Sequence, residues 1–164
     1  METIMDNTKT AMVITPTELL NHWQGHRNLT RRVIEAFPEK EFFEYTLGGM
    51  RPFAGLTKEL LAIAVPGLRQ IADGSTEELK EHMDHLKTKA EFLKLWDEAT
   101  EEINELWKKI PIEKFSEKIM TFGQYEGTVI SSIQYFIDNE IHHRGQGYVY
   151  LRTLGVEPPP FWER

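Results

Sequence analysis

Apolar and weakly polar residues recur at intervals of three and four along most of the chain, the signature of helices with one buried face. Leu19, Trp23, His26, Thr30, Val33 and Phe37 form the first such stripe. Thr15-Pro16-Thr17-Glu18 supplies its start, with a capping hydroxyl, a proline in the first turn and a reciprocating Glu. Pro38 stops it, so the spacing predicts a helix over 16–36. Tyr45 to Arg51 carries a glycine pair and reads as a loop. Pro52 opens a second helix from Phe53 to about Ala72, with Gly74 as a left-handed stop and Pro66 as an expected kink or break. Ser75-Thr76-Glu77-Glu78 predicts a short polar helix running towards His85. Thr88-Lys89-Ala90-Glu91 repeats the capping box and opens a third long helix. Its buried stripe is Phe92, Leu95, Trp96, Ala99, Ile103, Leu106 and Trp107, and Pro111 ends it. A less regular connection over 111–127 contains Lys118–Phe122, a weak strand candidate. A final helix spans about Thr128 to Leu154. Four long helices with short connections predict an all-α four-helix bundle over 15–164, preceded by a flexible segment, 1–14.

Composition narrows the chemistry. Cysteine is absent, so disulfides, thiolate metal sites and cysteine nucleophiles are excluded. The net charge of −7 argues against a nucleic-acid footprint, which relies on clustered Lys and Arg. Arg27, Arg31 and Arg32 do cluster on the first helix, where they read as three exposed, solubilising arginines. No apolar run approaches the roughly 20 residues of a membrane helix, and residues 1–14 lack signal-peptide character. A cytoplasmic protein is the expectation.

Candidate chemistry centres on histidine. His22 and His26 lie one helical turn apart, the spacing of paired zinc ligands and also of ordinary buried histidines. His82 and His85 sit among Glu77, Glu78, Glu81 and Asp84 in what reads as a solvated run. The last helix is richer. Asn139, His143 and Gln146 share a face, Glu140 lies beside them, and His142 diverges from His143 by about 100°. Gly145 and Gly147 cost helix stability and read as places where a neighbouring helix backbone approaches.

The run His142-His143-Arg144-Gly145-Gln146, followed by Tyr150-Leu151-Arg152, Gly155 and Pro158-Pro159-Pro160, resembles the C-terminal signature of the DinB-like family. Gly49-Met50-Arg51-Pro52-Phe53 resembles the family's entry into the second helix. The resemblance implies a four-helix bundle of damage-inducible or thiol-transferase type. It also implies a divalent metal, zinc or nickel, held by one histidine of the second helix and two of the last. His143 matches one of these; Asn139 and Glu59 stand where the other two would be. A Glu59/Asn139/His143 set holds a metal if water or His26 completes it, or forms a metal-free triad in which Glu59 orients His143.

Two functions follow. The first is a metal-dependent transferase or hydrolase using a low-molecular-weight thiol cosubstrate, with His26 or Glu140 moving protons. The second is a non-catalytic binding or stress-related protein with a metal-free pocket. Its small-molecule pocket takes His22, Trp23, Phe53, Tyr125, His142 and Gln146 as candidates, with Tyr148 as a further wall. Relatives make a homodimer the expected assembly. Direct binding to nucleic acid is rejected on charge.

Overall fold

The computed structural model describes residues 12–164, and the segment expected over 1–14 therefore lies mostly outside it. Five helices form: α1 (Pro16–Ala36), α2 (Glu39–Glu44), α3 (Phe53–Asp73), α4 (Lys89–Trp107) and α5 (Val129–Thr153). α1 and α3 each pack against both α4 and α5, so they lie diagonally across a four-helix bundle. The all-α bundle read from the spacing is the observed architecture. No helix among the described residues is long and apolar enough to cross a membrane.

Local chemistry accounts for the helix ends. Thr15 accepts from the Glu18 amide while Glu18 accepts from the Thr15 amide, and Thr88 and Glu91 repeat that exchange at α4. Gly74, at φ 69°, closes α3 in the left-handed conformation that a side chain resists. The α1 stripe is buried throughout, and Trp23, Phe53, Trp96 and Tyr150 are enclosed almost completely. Each such side chain contributes roughly 1.5–3 kcal/mol by leaving water.

Four expectations are corrected. Pro66 neither breaks nor ends α3, which runs through it. Its neighbours Ile63, Val65, Leu68 and Ile71 are buried, and that packing outweighs the roughly 3 kcal/mol an interior proline costs. The helix expected over 76–85 does not form. Ser75 Oγ bonds the Glu77 carboxylate at 3.0 Å instead of a backbone amide, and the acidic run has too little apolar surface to fund helix nucleation. Arg27 is fully buried rather than exposed. Its guanidinium lies 4.1 Å above the Trp96 ring and bonds Thr100 Oγ1 and the Trp96 carbonyl. In α4, Leu95 is only half-buried, beside a stripe otherwise as expected.

Two short elements were not anticipated in full. α2 tucks Phe42 against Phe53 and Phe92. Within 111–127, the weak strand candidate is β1 (Lys118–Thr121), and it pairs antiparallel with β2 (Tyr125–Thr128) through Phe122 at φ 55° and Gly123 at φ 68°. Gln70 of α3 anchors this hairpin, donating to the Met120 carbonyl and accepting from the Phe122 amide. The hairpin thereby roofs one end of the groove between α3 and α5.

Candidate functional site

α5 buries four consecutive-pair polar residues: Asn139 and Glu140, then His143 and Arg144. Neighbouring residues on a helix point about 100° apart. Asn139 and His143 therefore turn to α3, and Glu140 and Arg144 turn to α1.

On the α3 side the centre is Glu59. Its Oε1 accepts from Asn139 Nδ2 at 3.2 Å and lies 3.0 Å from His143 Nε2. Its Oε2 accepts from Arg51, which enters from the loop ahead of α3 and also pairs with Glu81 at 3.3 Å. Tyr150 Oη donates to the Arg51 carbonyl and steadies that loop. Burial alone would raise the Glu59 carboxyl, but hydrogen bonds from Arg51, His143 and Asn139 and the His143 charge bring it below the ordinary carboxylate range. Gln146 Oε1 sits 2.7 Å from His143 Nδ1, and its amide nitrogen turns to Met50 Sδ. An amide oxygen only accepts, so Nδ1 carries a proton. Both ring nitrogens thus face oxygens, which fix the ring between Glu59 of α3 and Gln146 of its own helix.

A cavity of about 350 Å³ adjoins this cluster between α3, α5, the hairpin and the 74–88 segment. Glu59 and Ile63 form its inner wall, Tyr125, Tyr135 and Phe136 give it aromatic faces, and Glu81 stands at the side.

On the α1 side Glu140 accepts from Thr30 Oγ1 at 2.6 Å. Arg144 donates to the His26 carbonyl at 3.0 Å and to His26 Nδ1 at 2.9 Å. Arg164, in the segment after α5, approaches His26 Nε2 at 3.2 Å. Burial first, then the charges of Arg144, Arg164 and His22, push His26 down to about 3. Burial raises the Glu140 carboxyl against the pull of Arg27, Thr30 and Arg144. The same burial lowers Arg27 to about 10, opposed by Glu140 and Asp97.

The candidate residues thus divide. Glu59, Asn139, His143 and Gln146 come together, and Tyr125 lines the adjoining cavity. His26 and Glu140 belong to the second layer and share no hydrogen bond with Glu59 or His143. Trp23 packs on Trp107 and Phe136, Phe53 stacks on Phe37, and neither lines the cavity. His22 and His142 are exposed, and Tyr148 bonds the Pro159 carbonyl. The spacing gave no sign of Arg51 as a site residue, because it precedes the helix and meets Glu59 only through the loop's path. Arg144 could have been found as the residue one turn after Glu140.

A zinc or nickel centre does not suit these residues. Among the described residues no three His, Cys, Asp or Glu side chains converge to hold a metal ion. Asn139 turns its NH₂ to Glu59, His143 Nε2 faces the same carboxylate oxygen, and the Arg51 guanidinium supplies the positive charge a metal would bring. One carboxylate, one amide and one imidazole are also a harder and poorer set than three imidazoles.

A helical bundle with a polar cluster buried between its second and last long helices defines the class of protein. The DinB family model matches residues 5–164, and the chain belongs to the DinB family. Protein YjoA of Bacillus subtilis is 24% identical over 149 residues, 90% of this chain and 96% of YjoA. The crystal structure of YjoA superposes with a TM-score of 0.69 at 20% identity, covering 89% of this chain and 99% of that one. A DinB-like protein from Bacillus cereus gives 0.72 at 14% identity, covering 88% and 95%. A mycothiol-dependent maleylpyruvate isomerase is similar at 0.59 and 16% identity, over 86% of this chain and 68% of the isomerase. At these identities the structures establish the shared fold.

Proposed function

We propose that the protein binds a small organic molecule in the α3–α5 cavity, with Glu59 as the polar inner wall, held from behind by a metal-free cluster with Arg51 and His143. The observation that carries this reading is the cavity itself, about 350 Å³, with an ionised carboxylate fixed on its inner face by three donors. Pockets of this kind, largely apolar with a few convergent polar groups, are the usual form of small-molecule sites. The cluster closes on itself by hydrogen bonds, so its charge is balanced without a metal. Purified protein incubated with zinc or nickel and then desalted tests the metal-free part. Less than stoichiometric metal is expected. Stoichiometric metal that disappears in Glu59→Gln and His143→Ala would overturn it.

A second reading is catalytic and is favoured by the 3.0 Å Glu59–His143 pair beside the cavity. Its structural similarity to a mycothiol-dependent isomerase supports a thiol-related reaction. The thiol would come with the cosubstrate, since the chain has no cysteine. Proton transfer then falls to His143, oriented by Glu59 and Gln146, because His26 and Glu140 face the other layer. Consumption of a low-molecular-weight thiol in the presence of an electrophile, lost in His143→Ala, supports this reading. Equal consumption by the variant excludes it.

A further inference from the structure

We infer that the cavity between α3 and α5 selects a small organic cation, an amine joined to an apolar body, and excludes anions. The inference rests on the reading of this cavity as a ligand site and adds the charge of the occupant. The cavity defines the site, and the charges around it define what enters.

Three carboxylates line it: Glu59 on the inner wall, Glu81 at the side and Glu126 on the hairpin. Arg51 and His143 stand against them, Arg51 pairing with Glu59 and Glu81 and His143 with Glu59, so the charge left over sits on the Glu81 and Glu126 side of the cavity. Glu126 has no cationic side chain within 4.0 Å among the described residues. No Lys, Arg or His side chain lines the cavity. On the adjoining face of α3 Arg69 pairs with Glu77 and Glu102 and Lys58 with Asp84, and on the 74–88 segment Lys80 pairs with Glu78.

The rest of the wall suits the same ligand. Tyr125 and Tyr135 are each 55% exposed, well beyond what packing accounts for, and both line the cavity with Phe122 and Phe136 behind them. Aromatic faces attract a cation through the ring quadrupole and also cover an apolar body. The aliphatic hydroxyls are spoken for: Thr121 and Ser132 bond each other, and Ser131 bonds the Thr128 carbonyl, which leaves, among the described residues, the Tyr125 and Tyr135 phenols as the free hydroxyl donors of the lining. They leave no row of donors to receive a carboxylate or phosphate. A ligand carrying an amine meets carboxylates at the wall and π-faces along the sides. A ligand carrying a carboxylate meets like charge, with only the two neutral phenols of Tyr125 and Tyr135 to donate to it.

Three matched probes test this: 2-phenylethylamine, neutral 2-phenylethanol and anionic 3-phenylpropionate. Titration at low and physiological salt is read by calorimetry and by NMR shifts of the Tyr125 and Tyr135 rings. The amine is expected to bind about tenfold more tightly than the alcohol, with the carboxylate weakest. Glu81→Gln/Glu126→Gln should remove most of that preference while keeping the fold, since Glu126 is exposed and Glu81 half-buried. Equal or tighter binding of the alcohol or the carboxylate would overturn the charge assignment and leave the cavity reading standing. Amine binding that ignores the double variant, or that moves neither tyrosine, would place the amine elsewhere and overturn it. Failure of all three probes to bind would overturn the cavity reading together with this inference.

Discussion

Gly145 and Gly147 lie two residues apart on α5, and the surroundings assign them opposite responses to the same substitution. A Cβ built at Gly145 meets nothing within 4 Å, so Gly145→Ala adds helix propensity alone, about 1 kcal/mol. A Cβ built at Gly147 lies 2.5, 2.8 and 3.1 Å from three ring carbons of Phe53. Non-bonded carbons prefer about 3.5–4.0 Å, so the ring has to retreat by about 1 Å. Phe53 has little room to do so, being fully buried and stacked on Phe37 at 4.6 Å and 10°. Overpacking of this kind costs roughly 1–3 kcal/mol, and the propensity gain offsets about 1 of it. In a domain of this size each kcal/mol moves Tm by about 2–4 °C. Calorimetry should show Gly145→Ala melting about 2–4 °C higher than the parent and Gly147→Ala lower by up to about 8 °C. Phe53→Leu in the Gly147→Ala background should lose less than the two single changes added, because they relieve one contact. If Gly147→Ala is as stable as Gly145→Ala, the reasoning fails: the α3–α5 contact would be loose enough to absorb a methyl group. The glycines were expected to admit a neighbouring backbone; at Gly147 the neighbour is a ring, and Gly145 has none.

Other predictions rest on the two polar layers. His26 is neutral in the fold down to about 3, so the unfolded chain takes up its proton first as pH falls below 6.5. Stability should therefore decline on acidification between those values, with a slope of at most about 1.4 kcal/mol per pH unit. Urea titrations of His26→Asn, which keeps an acceptor for Arg144, should show a flatter profile; an unchanged slope contradicts the assignment. Glu59 is depressed in the fold, so its contribution is present above the ordinary carboxylate range and lost as pH falls through its folded value. Glu59→Gln should cost about 1 kcal/mol at pH 7, and the gap from the parent should close in acid. Arg27→Ala removes the stacked cation over Trp96 with its hydrogen bonds to Thr100 and the Trp96 carbonyl and leaves a buried cavity, at a cost of about 2–5 kcal/mol, visible in equilibrium unfolding and tryptophan fluorescence. Thr88→Ala should cost about 1 kcal/mol by opening the α4 capping box.

What could be read from the chain was local. The α1 stripe, both true capping boxes and the Gly74 stop depend on neighbours within four residues, and they stand where the spacing puts them. Ser75-Thr76-Glu77-Glu78 carries the same pattern and fails, because a capping box only closes a helix that packing already stabilises. Arg27 illustrates the opposite error. It sits beside the stripe rather than on it, and only the arrival of Trp96 from α4 makes a buried site for its guanidinium. The i, i+4 pair Asn139 and His143 was legible as one helix face, and the family resemblance pointed to Glu59 opposite. Arg51 was not legible in that role, since its meeting with Glu59 is set by the loop and by Tyr150. The hairpin half-escaped for a related reason: four-residue strands with exposed faces have little alternation to display.

The one-residue offset on α5 between Asn139/His143 and Glu140/Arg144 separates two kinds of selection. Under the proposed function, changes on the α3 face alter what the cavity recognises, while the α1 face goes on holding α1 and α5 together through Thr30 and His26. A lineage can therefore exchange imidazole for amide or carboxylate on one side without first acquiring a compensating stabiliser on the other. On that reading, ligand preference and fold stability are set by different faces of one helix and can change separately.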